Sequence, residues 1–500
     1  VIGFDGRHNS ASFAHTAAAV FLSQGVRVHL FSGMVPTPFV AAGVAELGAA
    51  AGIMVTASHN PKADNGYKVY WGNGCQIIPP HDEGIAAQIT AHLPLWALPA
   101  DISTHPQLSD PTRAVEAAYY ARLHHLRYRS PADNSSAQPV TYTPLHGVGL
   151  QTLLRAFEVF GLPAPHVVAA QAAPDPEFPT VTFPNPEEGR GTWALAFREG
   201  GARGSRLVIA NDPDADRLAV AEADPSAPGG YHAFTGNEIG ALLADWLWTN
   251  YKRTHPGADP SRCVLLASAV SSRFLAGYAA REGLVFEETL TGFKWLGSRA
   301  RALEAQGMTV LFAYEEAIGF MPGAMYRDKD GVSAGAAFAE MAAALYARGG
   351  TLKSALADLY NKYGFSAYRS SYFIADKPAK SAAVFDRLRA GGHYPTSLAG
   401  VPVAWVRDLG TGLDTREPDR RARLPWRAGD LMITLGLATG GSSGTLTLRA
   451  SGTEPKLKYY LEVVDADAAA ATTLADRLAA AVRDELVRVQ EAGLTLPVQH

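Results

Sequence analysis

With 500 residues, the chain is too long for one hydrophobic core and has enough residues for three or four domains. Its hydrophobic content of 47%, charged content of 18% and net charge of −4 are ordinary for a globular protein, and the lack of a long basic run argues against a nucleic-acid partner. Only Cys75 and Cys263 are present and no apolar run approaches the ~20 residues of a membrane span, so we expect no disulfide framework, no zinc site, no membrane partner and a cytoplasmic location.

The predicted elements repeat in the order strand, polar turn, helix. Residues 1–4 predict a strand, and Asn9 or Ser10 is expected to cap a helix that ends at Gly25, before a strand over residues 26–31. Four short apolar runs further on are typical of strands covered by helices on both faces: residues 53–55, 207–210, 264–267 and 309–313. We therefore expect an α/β architecture with mixed, mostly parallel sheets.

The carboxyl-terminal part follows a different pattern. Residues 446–449 and 458–463 alternate as strands do, and a final helix carries an apolar stripe that includes Leu474 and Leu478. This part predicts a smaller α+β domain. Proline-rich or polar stretches are candidate boundaries, and one of them, residues 224–230, is either a boundary or a hairpin.

The sequence TASHNP, residues 56–61, forms a polar turn directly after an apolar run. Ser58 offers a hydroxyl nucleophile beside the imidazole of His59, and a turn at the end of a strand can expose it to a substrate. A surface turn is the simpler interpretation of an isolated Ser-His pair. Two motifs downstream favour a catalytic role.

The sequence NDPDADR follows another apolar run. Asp212, Asp214 and Asp216 alternate, so an extended loop presents three carboxylates on one side, and such hard oxygen ligands suit Mg²⁺ or Mn²⁺. An EF-hand is excluded, because Arg217 and Ala223 stand where that loop needs Gly and Glu. An acidic turn without a cation is the weaker interpretation, since three close carboxylates repel one another.

Three further segments carry polar groups. Residues 449–458, RASGTEPKLK, combine a guanidinium, hydroxyls, a glycine and ammonium groups, which suits a phosphate cradle about as well as a surface hairpin. Glu315 and Glu316 could accept hydrogen bonds from sugar hydroxyls, although the first turn of a helix is the better interpretation from the residues alone. Lys294, in TGFK, could contact a phosphate, but a lone lysine is usually solvated.

Taken in order, these motifs resemble those of the α-D-phosphohexomutase family. The YEEAIG sequence at residues 314–319, together with residues 65–71 and 291–295, is similar to the branch that contains phosphoglucomutase-2 and phosphopentomutase. The family loops and their counterparts here are the phosphoserine loop (residues 56–61), the metal loop (212–217), the sugar-recognition loop (314–319) and the phosphate loop (449–456).

The resemblance implies four domains around a central cleft, three related α/β units and a different last domain. Their expected ranges are residues 1–133, 134–232, 233–366 and 367–500. In the family a Gly-rich loop with an arginine precedes the first strand, so we expect either a segment upstream of Val1 or a chain with impaired activity.

The resemblance also implies roles for single residues. Ser58 would be phosphorylated in the active enzyme, and Lys68 or His59 would take the proton of the attacking hydroxyl, with Lys68 preferred. The implied Mg²⁺ ligands are Ser58, Asp212, Asp214 and Asp216. The implied substrate-binding residues are Arg7, Thr291, Gly292, Lys294, Glu315, Glu316, Arg449, Ser451, Gly452, Thr453 and Lys458.

The leading functional hypothesis is a Mg²⁺-dependent phosphoglucomutase that interconverts glucose 1-phosphate and glucose 6-phosphate. Glucose 1,6-bisphosphate would be its intermediate and activator, and its partners would be small sugar phosphates, bound by a monomer or homodimer. The alternatives are a phosphopentomutase for ribose or deoxyribose phosphates, a glucose 1,6-bisphosphate synthase, and a catalytically silent sugar-phosphate binder.

Overall fold

The computed structural model describes residues 1–99, 101–187, 189–323, 325–439, 442–451 and 455–497. The chain divides into two compact units. The first comprises Val1–Ser268, Gly283–Glu287 and Thr291–Leu356, and the second comprises Ala269–Glu282, Glu288–Leu290 and Ala357–His500. Among the described residues, no helix combines the length and the apolar character needed to cross a membrane.

The amino-terminal part of the first unit contains a three-stranded sheet. Its elements are β1 (Ile2–Phe4), α1 (Ser10–Ser23), β2 (Val28–His29), α2 (Thr37–Leu47), β3 (Ala51–Val55), β4 (Tyr67–Trp71), α3 (His81–Ala91), β5 (Leu108–Ser109) and α4 (Thr112–Leu123). The sheet order is β1-β3-β4, with β3 parallel to β1 and antiparallel to β4, while β2 and β5 pair separately.

Two local expectations in this part are wrong in detail. The strand expected over residues 26–31 is reduced to two residues, because β2 pairs only with the equally short β5 and Leu30 makes only an isolated bridge to Ile2. Asn9 occupies the cap position of α1, but it has a φ of 65° and makes no capping hydrogen bond through its side chain. The Ser10 hydroxyl instead donates to Asp5 Oδ1 over 2.6 Å.

The next part of the first unit contains a five-stranded sheet. Its elements are α5 (Pro131–Asn134), β6 (Val140–Thr143), α6 (Gly149–Phe160), β7 (His166–Val167), α7 (Gly189–Arg203), β8 (Leu207–Ala210), β9 (Ala219–Ala223) and β10 (Tyr231–Ala233). The order is β10-β9-β8-β6-β7, with β6 parallel to β7 and β8. Because β9 and β10 are antiparallel, residues 224–230 form a hairpin, one of the two interpretations above.

A four-stranded sheet follows. The elements of this part are α8 (Gly236–Thr254), β11 (Cys263–Ser268), α9 (Phe274–Glu282), β12 (Val285–Thr289), α10 (Phe293–Ala305), β13 (Thr309–Glu315), β14 (Gly319–Pro322), α11 (Gly331–Ala347) and α12 (Leu352–Tyr363). The order is β12-β11-β13-β14, with β11 and β13 parallel and β14 antiparallel to β13. Every residue of β8 and β11 is buried, as their apolar runs predict for strands covered on both faces, and β6 is buried throughout as well.

The last part of the chain, in the second unit, is an antiparallel sheet backed by helices. Its elements are β15 (Phe365–Ile374), α13 (Pro378–Arg389), β16 (Ser397–Leu398), β17 (Val401–Asp408), β18 (Leu413–Asp414), β19 (Met432–Thr439), β20 (Ser442–Ala450), β21 (Lys456–Asp465) and α14 (Ala468–Ala481). The order is β15-β21-β20-β19-β17-β16, with β18 beside β17, and a π-helical segment, Val482–Val487, continues α14. The predicted α/β class with a different carboxyl-terminal part is confirmed.

Candidate active site

The candidate nucleophile lies in the loop that follows β3. Ser58 has a left-handed backbone, with φ of 51°, which is uncommon for a residue other than glycine and is held here by local contacts. Its N–H donates to Thr56 Oγ1 over 2.8 Å. Its hydroxyl donates to Asp212 Oδ2 over 2.7 Å and lies 3.4 Å from His59 Nδ1. The hydroxyl is therefore aimed at the carboxylate of a loop from another sheet.

Arg7 contacts the loop that follows β3 through hydrogen bonds. Its guanidinium donates to the carbonyl oxygens of Ser58 and Asn60, both at 2.6 Å, and to those of Pro61 at 2.9 Å and Asp64 at 3.3 Å. The residue is only 5% exposed, and burial lowers the pKa of its guanidinium. The resemblance implies that Arg7 binds substrate. In the structure its two Nη atoms donate to main-chain carbonyls of the serine loop, so Arg7 also supports the shape of that loop.

The three aspartates of the metal loop lie together at the end of β8. Asp212, Asp214 and Asp216 are all fully buried, and one carboxylate oxygen from each lies within 4.8 Å of the other two. Ala215 has a φ of 56° and its N–H donates to the Asp212 carbonyl over 2.9 Å, so the loop makes a tight turn that directs the alternate side chains inward. The sequence predicted this convergence from the spacing alone.

Two lysines offset part of this negative charge. The Lys68 ammonium contacts Asp214 Oδ2 at 2.5 Å and also Asp216 Oδ2, and the Lys329 ammonium lies 2.8 Å from Asp216 Oδ2. Burial alone would lower the pKa of Lys68, but Asp214 and Asp216 outweigh it and raise the pKa. Burial would raise the pKa of Asp214, but Lys68 outweighs it and lowers the pKa. Burial, followed by the two neighbouring aspartates, raises the pKa of Asp212 well above its usual range.

The carboxylate cluster fits a divalent cation. Asp214 Oδ1 and Asp216 Oδ1 are buried and have no hydrogen-bond partner among the described residues, which is costly for a charged oxygen. Three carboxylates supply the hard ligands that Mg²⁺ or Mn²⁺ requires, and three protein ligands leave positions for water and a phosphate oxygen. The donor set is therefore chemically suited to the expected metal.

The two glutamates expected in a sugar-binding loop lie at the end of β13, where Glu315 is the last residue of the strand and Glu316 follows it. The alternative of a helical first turn is wrong, because the chain reverses after Glu315 and returns as β14, antiparallel to β13. Burial, followed by the charge of Glu316, raises the pKa of Glu315. The Gly292 N–H donates to Glu315 Oε1 over 2.5 Å, so Thr291 and Gly292, which precede α10, lie beside this hairpin.

Lys294 takes no direct part in these contacts. Its ammonium lies 3.8 Å from Asp82 Oδ2, and its side chain is 36% exposed. Arg217, and not Lys294, connects the metal loop to the hairpin of β13 and β14. The sequence analysis used Arg217 only to exclude an EF-hand. Its N–H donates to Asp212 Oδ1 over 3.0 Å and its Nη1 to the Ala317 carbonyl over 3.1 Å.

The expected phosphate loop belongs to the second unit. Gly452 and Thr453 lie outside the described residues. Arg449 and Lys458 face each other on adjacent strands, β20 and β21, and Ser451 N–H donates to the Lys456 carbonyl over 2.8 Å at the base of the hairpin. Two cations directly across a ladder repel each other, and an anion held beside them would offset that cost.

His59 lies beside the nucleophile as an uncharged imidazole. Burial, followed by the positive charge of Arg217, lowers the pKa of His59 well below its usual value. The imidazole therefore has a free lone pair at neutral pH, whereas Lys68 is an ammonium in its ion pairs.

Two residues of this site were missed by the sequence analysis. Lys329 contacts Asp216, and the Thr37 hydroxyl donates to Asp214 Oδ2. The run of alternating charges around Lys329 was a usable signal, because a lysine between two aspartates is unusual in a buried segment. Thr37 gave no such signal, since a threonine at the start of a helix is ordinarily interpreted as a cap.

Comparison with known proteins identifies the domains. Residues 1–94, 117–226 and 235–363 match the alpha/beta/alpha domains I, II and III of phosphoglucomutase/phosphomannomutase, and residues 429–481 match its C-terminal domain. A phosphopentomutase from Homo sapiens is 44% identical over 476 residues, covering 93% of this chain and 77% of the relative. A glucose 1,6-bisphosphate synthase from Mus musculus is 40% identical over 499 residues, covering 97% and 80%. The crystal structure of a phosphoglucomutase/phosphomannomutase family protein from Burkholderia thailandensis is similar with a TM-score of 0.67 and 19% sequence identity. The match covers 99% of this chain and 90% of that chain, and it shows a similarity of fold alone.

Proposed function

Because the chain belongs to the phosphoglucomutase/phosphomannomutase family, we propose that it is a Mg²⁺-dependent phosphomutase whose preferred substrates are pentose 1- and 5-phosphates. The observation that carries the chemistry is the hydrogen bond of 2.7 Å from the Ser58 hydroxyl to Asp212, in a cluster of three buried carboxylates. This joins a nucleophile to a candidate metal loop.

The choice of pentose over hexose phosphates rests on the relatives. Their names favour a phosphopentomutase over the phosphoglucomutase that the sequence motifs put first. Identity of 44% over most of both chains supports the transfer of this substrate class. Glucose phosphates become the second substrate class to test.

In the proposed reaction Ser58 carries the phosphoryl group. A substrate hydroxyl attacks the phosphorus of phosphorylated Ser58, the bond from Ser58 Oγ to phosphorus breaks, and a sugar bisphosphate forms. The bisphosphate then turns over and its other phosphate returns to Ser58 Oγ, which leaves the isomeric monophosphate and the phosphoserine enzyme. Arg7 serves this step by fixing the carbonyls of the serine loop.

The metal loop supplies the electrostatic part of the proposal. Asp212, Asp214 and Asp216, with an oxygen on Ser58, would hold Mg²⁺, which when bound withdraws charge from the transferring phosphate. Before a cation binds, ion pairs with Lys68 and Lys329 offset the repulsion among the carboxylates. The deep burial of the carboxylates limits the access of water, which would otherwise hydrolyse the phosphoserine.

A proton must leave the attacking hydroxyl, and two groups beside Ser58 are the candidates. The family resemblance implies Lys68, and the geometry adds His59, whose Nδ1 lies 3.4 Å from Ser58 Oγ. Replacing each in turn, by His59→Gln and Lys68→Met, separates them, because only loss of the general base removes the rise of kcat with pH that follows deprotonation of that group.

Substrate contacts are proposed in both units. In the first, Glu315 and Glu316 would accept hydrogen bonds from sugar hydroxyls, beside Thr291, Gly292 and Lys294. In the second, the phosphate that is not transferred would bind to Arg449, Ser451, Gly452, Thr453 and Lys458. The facing cations of β20 and β21 support the second assignment.

The experiment that tests the proposal compares rates on the full chain with Mg²⁺ and a trace of sugar bisphosphate. The substrates are ribose 1-phosphate, deoxyribose 1-phosphate, glucose 1-phosphate and mannose 1-phosphate. We expect the highest kcat/KM with the two pentose phosphates. A higher kcat/KM with glucose 1-phosphate would overturn the pentose assignment and restore the phosphoglucomutase hypothesis.

A glucose 1,6-bisphosphate synthase is the second candidate function, favoured by the relative that is 40% identical over 97% of this chain. It differs from a mutase in using a separate phosphoryl donor and in releasing bisphosphate as a net product. The assay is the amount of glucose 1,6-bisphosphate formed from glucose 1-phosphate and an acyl phosphate donor. Stoichiometric bisphosphate with slow isomerisation would support the synthase. The cytoplasmic location and the monomeric or dimeric state stay predictions.

A further inference from the structure

Thr37 lies directly against the metal loop. It is the first residue of α2, is fully buried, and follows Pro36, whose extended backbone leads the chain into the helix. Its N–H donates to the Asp214 carbonyl over 2.9 Å, and its hydroxyl donates to Asp214 Oδ2 across 177 residues of sequence. One residue therefore holds both the main chain and the side chain of Asp214.

The two oxygens of the Asp214 carboxylate have different surroundings. Oδ2 accepts from the Thr37 hydroxyl and from the Lys68 ammonium at 2.5 Å. Oδ1 is buried and has no hydrogen-bond partner among the described residues. Hydrogen bonds thus fix the carboxylate through Oδ2, while Oδ1 accepts none from the described residues. A monodentate metal ligand needs this arrangement.

The two donors on Oδ2 differ in charge. A divalent cation among the three aspartates would repel the Lys68 ammonium, because like charges a few ångströms apart in a buried site interact strongly. A neutral hydroxyl is not repelled. Thr37 is therefore the donor that can keep its hydrogen bond to Asp214 when a divalent cation is bound among the three aspartates.

We infer that Thr37 is a positioning residue of the metal loop, whose hydroxyl fixes the Asp214 carboxylate so that Oδ1 is presented to the cation. The inference rests on the proposed function in that it takes the aspartate cluster as a metal site. A hydrogen bond to an ionised acceptor is about twice as strong as one between neutral groups, and the partners that orient metal ligands matter nearly as much as the ligands.

The test is the affinity of the full chain for Mn²⁺ alone, measured by titration calorimetry and by loss of the free-ion electron paramagnetic resonance signal. Thr37→Val keeps the shape and the backbone N–H but removes the hydroxyl, so we expect Mn²⁺ binding about 10–100-fold weaker. Thr37→Ser restores the hydroxyl and should bind within about threefold of the unmodified chain.

A matched control is Thr141→Val. Thr141 is also fully buried, and its hydroxyl donates to Ser205 Oγ over 2.9 Å in the sheet of β6. The Thr141→Val substitution should leave Mn²⁺ affinity unchanged. If Thr37→Val binds Mn²⁺ as tightly as the unmodified chain, or if Thr141→Val loses as much affinity, the inference is overturned.

Asp214→Asn separates this inference from the proposed function. If Asp214→Asn leaves Mn²⁺ binding intact, the metal site itself is misassigned. If Asp214→Asn abolishes binding while Thr37→Val does not weaken it, only the role of Thr37 fails. If Thr37→Val and Thr141→Val have the same midpoint of thermal unfolding, global unfolding is excluded as the cause of weaker Mn²⁺ binding. A much lower midpoint for Thr37→Val that Thr37→Ser does not restore would count against a role of Thr37 specific to the metal.

Discussion

The Ser58 hydroxyl donates a hydrogen bond of 2.7 Å to Asp212 Oδ2, a residue 154 positions away in the sequence. The contact joins the loop after β3 to the loop after β8, so two polar turns at the ends of strands in different sheets meet at one point. Phosphorylation of Ser58 would place further negative charge against the buried carboxylates. Nearby cations offset that charge, and we therefore expect the lysines and the proposed metal ion to act at the same site.

Replacing Ser58 tests its proposed role as the phosphoryl carrier. We expect Ser58→Ala to lower kcat for sugar-phosphate isomerisation by about 10³-fold or more, because the hydroxyl that forms the phosphoserine is gone. The measurement is the isomerisation rate with Mg²⁺ and trace bisphosphate. Ser103→Ala, in an exposed turn, is the control and should keep full activity. Substantial residual turnover in Ser58→Ala would mean that another group carries the phosphate.

Removing one carboxylate of the proposed metal loop should weaken the response to Mg²⁺. In Asp214→Asn one negative ligand becomes neutral, so the Mg²⁺ concentration for half-maximal activity should rise by at least about tenfold. Asp476→Asn, which removes only an exposed ion pair with Arg369, is the control. An unchanged Mg²⁺ dependence in Asp214→Asn would refute the metal assignment.

Arg7 gives a test that separates loop support from substrate binding. Arg7→Lys keeps the charge but cannot reach four carbonyl oxygens with a planar fork, so residues 57–64 should exchange amide hydrogens faster and kcat should fall by about 10-fold or more. KM should change little. Arg155→Lys, at an exposed position, serves as control. A rise in KM with unchanged kcat and exchange would instead make Arg7 a substrate ligand.

Much of the site could be predicted because its parts are local. The polar loops that contain Ser58 and Asp214 each follow a short apolar strand, and an alternating Asp pattern can be recognised without knowing the fold. The α/β class followed from the same apolar runs. What the sequence could not give was which loops meet, because pairing between distant strand ends depends on the sheet order.

Local patterns also miss contacts between distant segments. The resemblance implies a substrate-binding role for Arg7, whereas both Nη atoms of its guanidinium donate to carbonyls of the serine loop more than 50 positions away. Glu315 was assigned to a helix because acidic residues favour a first turn, but pairing with β14 overrides that local preference. Thr37 went unnoticed since its partner is 177 residues away.

The two cysteines give a prediction about reactivity and pH. Both are free and buried. Burial raises the pKa of the Cys75 thiol to about 12, and burial also raises the pKa of Cys263. Because the thiolate is the reactive form, and a raised pKa keeps the thiol protonated until the pH approaches that value, neither cysteine should react in the folded chain between about pH 7 and 9.

The measurement is titration with a chromogenic disulfide reagent at pH 7, 8 and 9, in the folded chain and in denaturant. We expect no fast reaction when folded and two equivalents when unfolded, since unfolding returns each thiol to water and to its ordinary pKa of about 8.5. Ser103→Cys adds one exposed thiol and should add one fast equivalent whose rate rises with pH. If one thiol of the unmodified folded chain reacts fast and this reaction is lost in Cys75→Ala, Cys75 becomes exposed to solvent in the native state.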